Sequence, residues 1–321
     1  MSTATLGGDY FFVNNHYFIM SSIVDAEKSS DYEVCASCGI AAVDDVKLKL
    51  CGGGCDLVKY CSDGCQENHK VHHNEECRQR KAKLHEKQLF TQPDVSHHGE
   101  CPLCCLPLSL DPRKSILMGC CCKVICKGCH YANKKREIEE GLGQRCAFCR
   151  EPLPKSEDES VKQIMKRVKE NNDPVAITEM GKKHYHEKDY DKALQYYTKA
   201  AELGDVAAHF CLGCLYFFGN GVEKDEKKAV YHLEQAAIGG HPQARGLLGF
   251  HERDNGRYKR AARHLIINAN LGCDISLQQV KALFVKGVVS KEEHDAALRG
   301  YQAAVDATKS AEREKAGFNH C

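Results

Sequence analysis

Seventeen of the 21 cysteines in this 321-residue chain fall between Cys35 and Cys149, most of them in pairs two or three residues apart. Thiols packed so densely either cross-link or hold metal. A secreted disulfide protein needs an export signal and usually an even cysteine count. Here the count is odd, no Lys or Arg precedes Lys28, and Asn14, Asn15 and His16 interrupt the apolar runs 10–13 and 17–20. That pattern reads as neither a cleaved signal nor a membrane helix. The expectation is a reducing compartment, cytosol or nucleus, in which the thiols bind metal.

Single cores usually stop growing at about 250 residues, so a chain of this length holds several modules. Composition divides it into an aromatic and then polar lead at 1–34, a cysteine-rich stretch at 35–77, a Lys/Arg-rich linker at 78–100, a second cysteine-rich stretch at 101–150, a charged helical linker at 151–172, a helical repeat at 173–308 and a tail at 309–321. Lys and Arg number 45 against 44 Asp and Glu, which leaves no chain-wide attraction to nucleic acid or an anionic membrane. A local basic cluster, Arg78, Arg80, Lys81, Lys83 and Lys87, reads as a solvated linker helix more readily than as a nucleic-acid contact.

In the first stretch Cys35/Cys38, Cys51/Cys55 and Cys61/Cys65 are followed by His69, His73 and Cys77. Tetrahedral zinc takes paired ligands on tight knuckles with a chain reversal between pairs, and eight ligands make two such sites. Gly52, Gly53 and Gly54 free the backbone for one of those knuckles. His73 precedes Cys77 by four residues, one helical turn, so both can face one ion. This order, with YCSDGCQENHKVHHNEEC at 60–77, resembles a MYND finger. The resemblance implies interleaved zinc binding, with Cys35, Cys38, Cys61 and Cys65 on one ion and Cys51, Cys55, His73 and Cys77 on the other. It gives His69 a structural place, and Lys70 stands where that family commonly has Trp.

The second stretch reads Cys101 and Cys104, then the run Cys120, Cys121, Cys122, then Cys126 and Cys129, and finally Cys146 and Cys149. It resembles an all-cysteine RING finger through CPLC, CCCKVICKGC and CAFCR. The resemblance implies one zinc on Cys101, Cys104, Cys126 and Cys129, and a second on Cys120, Cys146, Cys149 and either Cys121 or Cys122, with Cys121 preferred. Cys105 and one member of the triplet are left as spare packing thiols. Four zinc ions are therefore expected in the chain. About fifty residues bury too little apolar surface for a secure fold, whereas a structural zinc site contributes about 10 to 16 kcal/mol of apparent binding free energy. A RING finger would recruit a ubiquitin-conjugating enzyme without a nucleophile of its own. By that likeness Leu103 and Phe148 are apolar contacts to such an enzyme and Arg150 is a cation bridging it to ubiquitin.

Beyond Cys149 the chain repeats. Ala176, Ala208, Ala244 and Ser276 recur at steps of 32, 36 and 32, and Ala193, Ala229, Ala261 and Ala297 at steps of 36, 32 and 36. The gap from the second series to the next unit is always 15, so the length change of four residues falls inside each hairpin. Each unit reads as two antiparallel helices, with Gly204, Gly240 and Gly272 ending the second helix in the left-handed conformation. The stretch YFFGNGVEKDEKKA at 216–229 resembles the Sel1-like repeat, a relative of the tetratricopeptide repeat. That likeness covers about four units, the last degenerate, and implies a mainly α fold: a C-terminal solenoid of about four helical hairpins that binds proteins or peptides, preceded by two small zinc-stabilised cross-brace modules. Cys211 and Cys214 have no second pair nearby and read as packed small hydrophobes. His184, His186, His232, His251 and His264 read as surface or groove residues.

No phosphate-binding loop, dinucleotide fingerprint or HExxH motif is present. Two functions fit: a zinc-stabilised adaptor with no reaction catalysed, or a RING-type ubiquitin ligase whose solenoid selects the substrate.

Overall fold

The computed structural model describes residues 33–42 and 47–318. Nearly all of the N-terminal lead, and the last three residues of the tail, lie outside them. The chain divides into two compact units, Met1–Ala82 and Lys83–Cys321.

In the first unit β1 (Lys49–Leu50) pairs antiparallel with β2 (Lys59–Tyr60), and α1 (Asp63–Leu89) follows. Its core consists of Cys35, Cys51, Cys55 and Tyr60, with Leu48 and Val58 against them. Most of that interior is sulfur.

The second unit opens with the last two turns of α1 and an irregular segment. An antiparallel hairpin follows, β3 (Ser115–Met118) with β4 (Lys123–Cys126), and leads directly into α2 (Lys127–Glu139). Leu108, Met118, Ile125 and Ala147 pack among its cysteines. Next come α3 (Glu157–Asn171) and eight helices: α4 (Pro174–His186), α5 (Tyr190–Glu202), α6 (Val206–Phe218), α7 (Glu226–Ile238), α8 (Pro242–Asp254), α9 (Tyr258–Asn270), α10 (Asp274–Val285) and α11 (Lys291–Ala307). They pair in sequence as four hairpins, a mainly α solenoid behind the cysteine-rich modules. No described helix is long and apolar enough to cross a membrane.

The repeat arithmetic has a direct structural cause. Connections between units, and those inside the first and third hairpins, are three residues long, whereas the α6–α7 connection has seven. In the fourth hairpin the connection has only five, and α11 is lengthened to 17 residues in compensation. Both alanine series are fully buried, with Ser276 nearly so. A methyl group at these positions brings helices close without the rotamer entropy that a larger side chain would lose. Asp173, Asp189, Asp205 and Asp225 cap successive helices by accepting backbone N–H bonds, and Gly204, Gly240 and Gly272 adopt φ of 86°, 80° and 93°.

Residues 309–318 carry more than a tail. Helix α12 (Ala311–Phe318) packs on α2, and the approach is so close that a Cβ on Gly128 would lie 3.0 Å from the Arg313 backbone nitrogen. On another side of the same module Ile164 of α3 abuts Gly119.

Among the histidines read as surface or groove residues, His264 is 0% exposed, because its helix position faces the solenoid interior beside Phe90. Burial first, then the charges of Arg245, Arg260 and Arg263, push it down to about 3. At His241 burial, then His97 and His98, have the same effect, to about 2.

Two measurements follow from this packing. A Cβ on Gly181 would meet the Tyr197 ring at 2.6 Å, while one on Gly143 would meet nothing within 4 Å. Gly181→Ala should therefore lower the stability read by urea unfolding by about 1 to 3 kcal/mol, and Gly143→Ala should change it by less than about 0.5. Equal losses would contradict close helix approach at Gly181. The second concerns acid. An unfolded histidine titrates near 6.5, so below that pH the unfolded chain takes up protons that the folded solenoid refuses. The contribution of neutral His264 is complete above pH 6.5 and is lost as pH falls toward about 3. Between about pH 6.5 and 5.5 the wild type should lose about 1 kcal/mol more than His264→Phe; parallel urea curves for the two proteins would refute this.

Candidate metal centres

Three knuckles in this chain share one backbone design. At Cys35, Cys101 and Cys146 the carbonyl accepts from the N–H four residues on, that of Gly39, Cys105 and Arg150, at 2.8 to 3.0 Å. The N–H of the same three cysteines donates to the carbonyl five residues on, in Ile40, Leu106 and Glu151. The closing residue must turn left-handed: φ is 75° at Gly39, 55° at Cys105 and 65° at Arg150. This tight turn points both side chains of a C-x-x-C pair to one side. Cys105 thus stands at the turning position of its knuckle rather than simply filling space.

The knuckles converge in four quartets: Cys35, Cys38, Cys61 and Cys65; Cys51, Cys55, His73 and Cys77; Cys101, Cys104, Cys126 and Cys129; Cys120, Cys121, Cys146 and Cys149. Within each, all ligand atoms lie within 4.8 Å of one another. Sulfur separations are 3.5 Å for Cys38–Cys61, 3.6 Å for Cys61–Cys65, 3.7 Å for Cys51–Cys77, 3.9 Å for Cys104–Cys126 and for Cys121–Cys146, and 3.3 Å for Cys120–Cys149. Tetrahedral zinc with bonds of about 2.3 Å requires sulfur edges of about 3.8 Å, whereas a disulfide needs about 2.05 Å. The donor sets fit zinc in number, type and spacing.

Their electrostatics point the same way. Burial pushes the Cys35 thiol up, but hydrogen bonding by the backbone of Cys38, Cys61 and Ser37 outweighs it and brings the group down to about 6. Its neighbour Cys61 is pushed up to about 12 by the Cys38 and Cys65 side chains, then by burial. Thiols this close cannot all ionise by themselves; a dication at their centre removes the conflict.

Surrounding groups support three of the centres. His73 directs Nε2 to Cys55 Sγ at 3.0 Å, and His69 stacks on it at 5.8 Å while its Nδ1 meets the Tyr60 hydroxyl at 3.0 Å. Sulfurs in the second module accept backbone N–H bonds, from Cys126 to Cys101 and from Phe148 and Cys149 to Cys146. Arg313 of α12 adds a guanidinium, donating from Nη2 to Cys104 Sγ at 3.3 Å and to the Leu106 carbonyl at 3.0 Å. A zinc held by four thiolates would carry two net negative charges, one of which this cation would offset. Nothing in the local sequence around Arg313 announces that role.

Cys122 belongs to no quartet. Burial, then the Asp173 charge, push its thiol up to about 11, and it sits by the Arg167–Asp173 ion pair at the start of the repeat. Cys211 packs with Tyr197, Leu212 and Leu215, outside every quartet. Leu103 and Phe148 lie in the two knuckles of the second module, 40% and 43% exposed. Arg150 donates to the Asn133 side chain of α2 at 2.7 Å, which tethers its head to the helix. In the linker Arg80 is bidentate to Asp56 and Arg78 pairs with Glu75.

Comparison with known proteins matches parts of the chain. The MYND finger model covers residues 35–77, and the Sel1 repeat model covers 177–205 and 206–241. A Helicobacter pylori J99 protein named "Putative beta-lactamase HcpC" is 43% identical over 56 residues, 17% of this chain and 19% of that protein. Its counterpart in strain 26695 is 44% identical over 52 residues, 16% and 18% of the two lengths. The chain thus spans about a fifth of these curated relatives. Among solved structures, a Sel1 repeat protein from Oxalobacter formigenes aligns at 28% identity with a TM-score of 0.41, over 56% of this chain and 72% of its own. The uropathogenic Escherichia coli antigen c5321 aligns at 20% identity and 0.39, over 60% and 40%.

The chain thus carries a segment matching the MYND finger, a zinc-binding module, followed by segments matching the Sel1 repeat.

If the quartets hold metal as arranged, elemental analysis of purified protein should return close to four zinc ions per chain. Cys121→Ser should lose one of them and Cys122→Ser none. Equal metal loss from both variants would contradict the division of the triplet.

Proposed function

We propose that this chain is a zinc-stabilised adaptor with four structural ions, whose MYND finger and solenoid each hold a protein or peptide. The observation that carries the reading is the convergence of sixteen donor atoms into four tetrahedral-sized quartets in a chain that also carries a repeat solenoid. Zinc supplies no reaction in this role; bound, it is a charged clamp that replaces the core these short segments lack. The cysteines and His73 hold it, the amide and Arg313 donors balance its thiolates, and Tyr60 and His69 orient His73. Crowded free thiols support a reducing compartment, cytosol or nucleus, as the setting. The carboxylates facing Arg78 and Arg80 favour a protein partner over nucleic acid.

A second reading has its own observation. Residues 101–149 fold as a cross-brace on β3, β4 and α2, and two large apolar side chains, Leu103 and Phe148, stay exposed in its two knuckles with Arg150 close to α2. That arrangement favours a RING-type ubiquitin ligase, in which this surface docks a charged conjugating enzyme and the solenoid holds the substrate.

Discharge of ubiquitin from a panel of conjugating enzymes onto free lysine separates the two. Under the ligase reading the chain should accelerate at least one enzyme, and Leu103→Ala and Arg150→Ala should each cut that acceleration about ten-fold or more, a loss of at least about 1.4 kcal/mol. With no acceleration from any enzyme, the adaptor reading stands alone.

A further inference from the structure

The solenoid already holds a peptide, and it is the chain's own. Leu89, the final residue of α1, is 0% exposed and packs among Leu233, Ala236 and Ala237 of α7 and Ala244 and Leu248 of α8. Its carbonyl accepts from Arg245 Nη1 at 2.8 Å, and Arg245 Nη2 reaches the Ala237 carbonyl at 2.7 Å. Arg245 therefore joins two helix C-termini, where backbone carbonyls lack partners and the helix dipole favours a cation. It does this while fully buried, and its Nε has no hydrogen-bond partner among the described residues.

The contacts continue on both sides of Leu89. One turn earlier, Glu86 receives the guanidinium groups of Arg260 and Arg263 from α9. Phe90 lies beneath Arg263, 3.6 Å from ring centroid to guanidinium carbon, with Arg260 at 5.0 Å and the His264 ring at 4.6 Å. Gln92 accepts from the Asn270 carboxamide at 3.1 Å. The His97 N–H donates to the Gly240 carbonyl at 3.1 Å, and its ring stacks on His241 at 4.1 Å. Acid, leucine, phenylalanine, glutamine and histidine each enter a separate feature of α7, α8, α9 and the loop at Gly240. Side chains entering successive pockets, with one main-chain bond, describe a linear ligand in a groove.

Two properties set this segment apart from the repeat beneath it. The helix-to-helix packing is made by the buried alanine series, which recurs in every hairpin. Beyond α1 the segment has no regular structure of its own, and Thr91, Gln92, Asp94 and Val95 are exposed. Mostly exposed and without regular structure, residues 91–95 open at lower free energy than the helices they cover.

We propose that the seam formed by α7, α8 and α9 is a peptide-docking site that residues 86–97 occupy in cis, and that a partner protein enters it by displacing this strap. The partner presents a helix end with an acidic residue three positions before a Leu-Phe pair. Glu86 supplies the charge that Arg260 and Arg263 select, Leu89 the apolar anchor, and Phe90 the ring that the guanidinium groups cover. The inference rests on the solenoid being the protein-holding half of the adaptor and names the surface and ligand chemistry of that half.

Native-state hydrogen exchange on the full chain tests the opening. The Phe90, Thr91 and His97 amides should exchange at least ten-fold faster than the interior amides of α8. Exchange at a single common rate would make the strap part of the solenoid's fold and overturn the proposal. The groove itself is tested with a labelled synthetic peptide of residues 83–98 and full-length protein. Glu86→Lys combined with Phe90→Ala should expel the strap, by repulsion from Arg260 and Arg263, with Leu89 itself unchanged in sequence; this protein should bind the peptide at least ten-fold more tightly than the wild type. Adding Arg263→Glu should abolish that gain, and a peptide carrying Lys at the Glu86 position should restore it. A strap variant that keeps its helical signal yet binds the peptide no better than the wild type overturns the proposal, as does one that loses its helical signal. These readouts follow the chain's own segment, so their failure would strike the docking site and leave the zinc count and ubiquitin discharge unaffected.

Discussion

Four soft ligands brought within tetrahedral reach of one point are the condition on which the front half of this chain depends. Thiolates at such separations repel, and their segments are too short to bury a stabilising apolar surface. The backbone accordingly spends its hydrogen bonds on making knuckles: the same pair of bonds recurs at Cys35, Cys101 and Cys146, each closed by a left-handed residue. What would be core in an ordinary domain is sulfur here, with Tyr60 or Ile125 filling the gaps.

The rear half solves the packing problem differently. Alanine at two places per hairpin lets helices approach with little side-chain entropy to lose, and each unit stacks on the next by the same contacts. This economy leaves seams between hairpins to be covered by something else. Leu89 and Phe90 cover one of them, and α12 carries the far end of the chain back to the second cysteine-rich module. There Arg313 reaches a sulfur. Both attachments use an arginine to satisfy backbone carbonyls, Arg245 at two helix ends and Arg313 along the first knuckle of the second module.

Much of the candidate site was legible because its signals are local. A C-x-x-C pair with further pairs close by in sequence declares a knuckle, and His73 with Cys77 declares one helical turn; the alanine steps report hairpin geometry before any coordinate is known. His264 could not be read this way. An imidazole on an amphipathic helix looks the same whether it meets water or, as here, Phe90 and Arg245 from elsewhere in the chain. The triplet Cys120, Cys121 and Cys122 offers three equivalent thiols to a reader of sequence, and only the turn between β3 and β4 turns Cys122 away toward Arg167 and Asp173.

Residue order alone therefore determined the zinc-type pairing of cysteines, the mainly helical class and the repeat length, since each depends on spacings shorter than one hairpin. Tertiary structure decided which distant groups share an environment: Arg313 beside Cys104, Arg245 beneath Leu89, and Phe90 against α9. These contacts join positions 156 to 209 residues apart in the case of the two arginines. No periodicity carries such information, because the partners meet only after the hairpins have stacked and closed the chain on itself.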